Sequence, residues 1–225
     1  MKHASLVALV ALVVLSDPSA GRAQAAQSGG AGALNLDVTR WQVVTRESGP
    51  VNYYHVVADP SLPFVHAEYT PPEATAVLGV QIGDSDRKRA RAVSWQWRAV
   101  TLPQGGDECA SGKGDSAAVV YLTWKHTLKW YTLKYVWSSV GQRGAICDRK
   151  RNPFVAQDTV ILQSGGPLGV WRSELIDLKQ EFRRHFGDGD PNAEVPDFVG
   201  VGIMTDGDQT KSASSADYAD FVLQR

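Results

Sequence analysis

The sequence predicts a mainly β, antiparallel sandwich with one short helix near residues 178–186. Three observations carry this. Short runs of alternating apolar and polar residues recur along the chain, each bounded by Pro, Gly or Asp, at the spacing of sandwich strands. One run, Ala117–Trp124 (AAVVYLTW), is apolar on both faces, as a central strand buried on both sides must be. Helical patterns do not alternate with strand patterns, so the βαβ units of a parallel sheet are not expected.

The N-terminus reads as a signal peptide over residues 1–25. Lys2 and His3 precede the uninterrupted apolar run Ala4–Leu15, and Ala23-Gln24-Ala25 supplies the small-x-small cleavage pattern. That run falls short of the ~20 residues a membrane-crossing helix needs, so no span is expected after cleavage behind Ala25. No Cys follows the run to take a lipid, and no twin-Arg precedes it. The expected location is periplasmic or secreted. Residues 26–40, rich in Gly and Ala, read as a flexible lead-in. Residues 41–225 are enough for one domain with its own core, and a monomer is expected.

Strand patterns follow in order. Trp41–Arg46, Phe64–Thr70 and Ala76–Ile82 are short and bounded by Pro or Gly. In the next run Val93, Trp95, Trp97 and Ala99 share one face, while Gln96 and Arg98 take the other. Leu128–Trp137 alternates aromatic and basic residues, and Asp158–Gln163, Val199–Met204 and Ala216–Leu223 complete the set. One helix interrupts them. Leu178, Phe182 and Phe186 fall on one helical face. Asp177 and Gln180 form a capping box. Arg183, Arg184 and His185 suit the last turn, and Gly187 suits a left-handed stop.

Charge excludes some partners. The chain carries 23 basic and 24 acidic groups, a formal net charge of −1. That balance gives no electrostatic case for nucleic acid. The basic cluster Arg87–Arg91 (RKRAR) reads as a solvated strand start. Cys109 and Cys147 both lie in the exported part, so an oxidising compartment makes their disulfide the default. Zinc spacing of the CxxC or HxxxH kind is missing.

Three constellations could carry function. The segment Gly200–Leu223 holds Asp206, Asp208, Thr210, Ser212, Ser214 and Asp217. Their spacing imitates an EF-hand loop, but Lys211 replaces the required Gly and strands flank the loop. Asp206, Asp208, Thr210 and Asp217 are the candidate metal ligands, with calcium the ion that oxygen chemistry favours. The same side chains also suit turn capping. Strand parity sends Asp217 and Asp220 to opposite faces unless the strand bulges. Second, Trp124, Trp130, Tyr131, Tyr135 and Trp137 crowd together. Tyr131, Tyr135 and Trp137 share a strand face that could stack on sugar rings, or equally pack in the core. Third, Asp115 and Ser116 open the AAVVYLTW strand behind a Gly-rich turn. Walker, nucleophile-elbow and zinc motifs are all missing, although paired carboxylates for glycoside hydrolysis meet only in three dimensions.

At these residues the chain resembles the domain of unknown function 3047 family. The resemblance is carried by GDSAAVVYLTW (114–124), LKYVWSS (133–139), FRRHFG (182–187) and GIMTDGDQTKSASSADYADF (202–221). It runs from about Trp41 to the C-terminus, with Gly114-Asp115-Ser116 where the family carries Asn-Asp-Ser. It implies a single jelly-roll-like β-sandwich related to galactose-binding-type modules, and brings no catalytic residue with it. The expected function is therefore a non-catalytic module for a glycan or cell-envelope component, using Trp124, Tyr131, Tyr135 and Trp137 with Asp115 and Ser116. The alternatives are a carbohydrate-active hydrolase built on the loop carboxylates, or an envelope protein-interaction module.

Overall fold

A computed structural model describes residues 32–46 and 54–225. The leader and its cleavage site lie outside them. Strands β1 (Ala33–Asn35), β3 (Tyr54–Val57), β4 (Phe64–Tyr69), β6 (Ala92–Thr101), β11 (Arg172–Asp177) and β13 (Ser214–Gln224) form a six-stranded sheet. Its order is β11-β6-β13-β4-β3, with β1 also pairing β13. Strands β2 (Gln42–Arg46), β5 (Ala76–Gln81), β7 (Ser116–His126), β8 (Lys129–Ser138), β9 (Ile146–Arg151), β10 (Val155–Ser164) and β12 (Asp197–Met204) form a seven-stranded sheet. Its order is β2-β5-β12-β7-β8-β10-β9. Pairing is antiparallel except between β8 and β10, because β9 reverses the chain between them.

The two sheets share an aromatic core. Trp95 and Trp97 of β6 meet Tyr135 and Trp137 of β8 at centroid distances of 6.1 and 5.9 Å, and all four side chains are buried. Burying each such ring stabilises the fold by roughly 1.5–3 kcal/mol. Tyr218 adds a polar tie between the layers. From β13 its hydroxyl reaches the Met204 carbonyl at 2.5 Å, and it accepts the Val119 N–H at 3.2 Å.

Helix α2 (Leu178–Phe186) spans the predicted residues, and Asp177 caps it by accepting the N–H groups of Lys179 and Gln180. Several expectations need correction. The chain orders before Trp41: β1 pairs with β13, and Leu36 and Val38 are buried. A Gly-rich approach hid these apolar anchors. Gly187 is not left-handed, since its φ is −114°; Asp188 and Gly189 take the positive φ values. Gly187 is needed for space instead, because a Cβ there would lie 2.8 Å from that of Ala193. The basic cluster begins in a short helix, α1 (Asp84–Arg87), and pairs locally: Arg87 with Asp84, and Arg89 with Asp86. Alternation does not mark strands β3, β9 and β11, which are all sheet edges; β9 and β11 have largely exposed, polar-rich sequences, and β3 is only four residues long.

His185 is no solvated helix-end cation. It is buried, with Nδ1 2.8 Å from Asp158 and Nε2 3.5 Å from Glu181. Arg151 and Tyr135 complete the network, through Asp158 and Glu181 respectively. Burial alone would lower the His185 pKa, but its bonds to the two carboxylates hold it above the ordinary value. Asp158 is held low, its bonds to His185 and Arg151 outweighing burial, and Glu181 is held low chiefly by its bond to His185. A raised histidine contributes stability fully below its unfolded pKa of about 6.5 and loses it as pH rises through the folded value. The depressed carboxylates contribute above their unfolded values near 4 and lose it on acidification. Melting temperature should therefore peak between these limits and decline from about pH 6.5 upward. In His185→Gln the His185 share of that decline should be missing, leaving a shallower alkaline limb, at a cost of about 3 kcal/mol near pH 6 for taking the cation away from buried Asp158 and from Glu181. An unaltered alkaline limb in the variant would refute this account of the helix anchor.

Candidate functional site

Strand pairing brings the acidic residues together. β7 and β12 are antiparallel neighbours, with Met204 opposite Val119. Asp115, just before β7, and Asp206, just after β12, therefore reach the same end of the sheet. The Asp206 N–H donates to the Ser116 carbonyl. One oxygen from each of Asp115, Asp206 and Asp208 lies within 4.8 Å of the others. Asp115 is fully buried and accepts the N–H groups of Gln209 (3.2 Å) and Thr210 (2.6 Å) and the Thr210 hydroxyl (2.5 Å). Gly207 closes the loop. A Cβ there would stand 2.0 Å from the Ser212 carbonyl oxygen, so no other residue fits.

A second polar group adjoins the cluster. The Ser116 hydroxyl donates to Glu108 at 2.5 Å, and Lys134 approaches the same carboxylate at 3.1 and 3.3 Å. Glu108 sits beside Cys109, and the Cys109–Cys147 disulfide ties that loop to β9. Burial alone would lower the Lys134 pKa, but Glu108, Tyr121 and Asp206 hold the ammonium above its ordinary value. Asp206 goes the other way. Burial pushes its carboxyl well above the ordinary value, and the Asp208 and Asp115 charges push further, against the pull of Lys134.

The predicted ligand set divides. Asp115, Ser116, Asp206, Asp208 and Thr210 do converge. Asp217 does not join them; it lies on the outer face of the other sheet, bonded to His66 and Arg98. Thr210 uses its hydroxyl on Asp115. Among the described residues, the group that could hold a metal is thus Asp115, Asp206 and Asp208. The aromatic set is a correction. Tyr131, Tyr135 and Trp137 do share a face, but it is the inner one. Trp124, Tyr135 and Trp137 are buried, and Tyr131 packs against Phe182 and Phe186 of α2. The alternation holds, but sequence periodicity does not say which side of a sheet is covered.

An aromatic and polar array does lie open on the outer face of the six-stranded sheet. Phe64, His66 and Glu68 point outward from β4, alternating with buried Val65, Ala67 and Tyr69. The Arg98 guanidinium lies 4.6 Å from the Trp171 ring centre and 5.4 Å from that of Phe64. Beneath it the Asp217 side chain, 2% exposed, receives Arg98 Nε at 2.5 Å and meets His66 Nδ1 at 2.5 Å. The expectation that Asp220 faces away from Asp217 fails because β13 bulges between Ala219 and Val222, with Asp220 at φ +52°. Asp220 returns to the outer face and accepts from Gln96 Nε2. The outward places of Gln96 and Arg98 were visible in the alternation of β6. What lacked a local signal was Trp171, whose segment shows no strand pattern.

The carboxylate cluster makes a direct prediction. A carboxyl with a raised pKa contributes most stability in acid and loses it as pH rises to the folded value. Asp206→Asn, which imitates the protonated form, should melt at a higher temperature than the parent at pH 8 and vary less between pH 4 and 8. A lower melting temperature at pH 8 would show that Asp206 works as a carboxylate. The same melting series with millimolar calcium decides whether the three carboxylates take an ion, because binding must raise the melting temperature.

Likenesses to solved structures are remote. The family 11 carbohydrate-binding module of the cellulosomal cellulase Lic26A-Cel5E of Clostridium thermocellum aligns over 87% of this chain and 96% of its own. The identity is 11% and the TM-score 0.45. The xyloglucanase domain of NopAA from Sinorhizobium fredii, in complex with cellobiose, covers 88% and 96% at 13% identity and TM-score 0.44. Endoglucanase 3 of Trichoderma harzianum, from family GH12, covers 87% and 91% at 10% identity and TM-score 0.42. Likenesses this distant assign no role to any residue here. No curated protein matches the chain. The family match is of another order: it spans residues 39–222, covering every paired strand from β2 through nearly all of β13, and on it the chain belongs to the family described as "Protein of unknown function (DUF3047)".

Proposed function

We propose that the protein is an exported, monomeric, non-catalytic glycan-binding module, with the outer face of the six-stranded sheet as its binding surface. One observation carries the reading: Phe64 and Trp171 are held edge to face at 5.7 Å around Arg98, beside half-exposed His66 and Gln96. Aromatic faces suit the C–H surfaces of pyranose rings, and guanidinium, imidazole and amide groups suit their hydroxyls. The array is also pre-organised. Asp217 fixes Arg98 and His66 from below, so little side-chain entropy remains to be lost on binding. The disulfide and the signal-like N-terminus support export.

A hydrolase is the second reading, favoured by Asp206. A buried carboxyl whose pKa is raised by burial and by its neighbour Asp208 has the form of a general acid in a carboxyl pair. Against it, Asp115 and Asp206 are both buried, and Asp115 spends its oxygens on the loop.

Affinity electrophoresis through gels containing different polysaccharides tests both readings. The parent should be retarded by at least one polysaccharide, and Trp171→Ala should lose at least about tenfold in affinity, as for a central aromatic anchor. No polysaccharide should release reducing ends. Retardation unchanged in Trp171→Ala would remove the face from consideration. Release of reducing ends that disappears in Asp206→Asn would establish the hydrolase instead.

A further inference from the structure

We propose that the ligand of this face is a neutral glycan, and that Asp217 is the residue that sets that preference. The inference rests on the reading of the face as a glycan-binding surface and adds the ligand class. Its basis is the placement of charge. Arg98 and His66 are the groups a carboxylated sugar would seek, with side chains 27% and 26% exposed. Both are already committed to one buried carboxylate. Asp217 takes Arg98 through Nε and His66 through Nδ1, each at 2.5 Å. It is reached from β6 on one side and β4 on the other, since Asp217 is opposite Arg98 and His66 in the two registers.

Among the described residues, the further side chain paired with this trio is acidic. Glu68 stands 3.8 Å from His66 Nε2 and is 67% exposed. Asp59 lies close enough to Arg98 for the guanidinium to help hold its carboxyl below the ordinary value, after the larger effect of its bonds to Ser61 and Leu62. Asp220 shares the outer face with Gln96. His55 pairs opposite His66 from β3. A polyuronate would bring repeated negative charge against Glu68, Asp59 and Asp220, while Arg98 is already paired with Asp217. A neutral, hydroxyl-rich chain meets no such repulsion and can still use the rings and the remaining donors. A buried acid beneath Arg98 and His66 therefore acts as a selectivity element: it offsets the guanidinium charge and leaves the outward hydrogen-bonding groups of both side chains in place.

The test compares neutral polysaccharides (hydroxyethyl cellulose, laminarin, starch) with polyuronates (alginate, polygalacturonate) in affinity gels at low salt. The parent should be retarded by one or more neutral polymers and by neither polyuronate. Asp217→Asn removes the compensating charge while keeping the shape. It should gain polyuronate retardation by about tenfold, and this gain should vanish at about 0.5 M NaCl through screening. If Asp217→Asn does not fold, Glu68→Gln supplies the second variant; it is exposed, leaves the buried contacts intact and shifts charge the same way, with a smaller expected gain. Polyuronates that retard the parent as strongly as neutral polymers would overturn the ligand class alone and leave the binding face standing. A folded Asp217→Asn with the parent's preference would overturn the role of Asp217. A parent retarded by no polymer would overturn both this inference and the reading beneath it.

Discussion

Adjacent residues of one central strand do opposite work, and the structure depends on that division. In β13, Tyr218 points inward and ties its hydroxyl to the backbone of β7 and β12. Its neighbour Asp217 points outward and holds Arg98 of β6 and His66 of β4. The period of two in a strand is what separates them. The inward set locks the two sheets around an aromatic core; the outward set arranges the face proposed to bind ligand. A slip of one residue in this strand would exchange the two and destroy both.

The same constraint explains where the tryptophans went. A sandwich of this size has to fill the space between its sheets with large side chains, and Trp95, Trp97, Trp124 and Trp137 do so. Aromatic crowding in β8 was therefore a core signal. The acidic segment has a comparable meaning. Asp115, Asp206 and Asp208 come together because two strand ends meet, and Gly207 allows the closing turn. The result staples the loop before β7 to the loop after β12, alongside the Glu108–Lys134 pair and the disulfide.

Much of the fold was legible. Alternation located the central strands, and Asp177 with the Leu178–Phe182–Phe186 stripe located the helix. The Cys109–Cys147 pairing followed from the expectation of an oxidising compartment. Edge strands such as β11 were hidden because their polar-rich sequences carry no strong alternation. The site was less legible for a different reason. Convergence of Asp115 with Asp206 depends on strand order, and the joint hold of Asp217 on β4 and β6 depends on two registers at once. The outward turn of Asp220 needed a bulge, and no periodic pattern announces one. Local sequence records which residues alternate, but not which face is left open.

The most direct measurement is a solution NMR titration of the folded protein with a neutral oligosaccharide that retards it in gels. Indole Nε1–H and arginine Nε–H signals report separate places in the fold. Binding on the outer face should shift Trp171 and Arg98 and leave Trp124 and Trp137, buried between the sheets, unmoved. Saturable shifts confined to the backbone and side chains around Asp206, Asp208 and Lys134, with Trp171 and Arg98 unchanged, would contradict the assignment and place binding on the seven-stranded sheet.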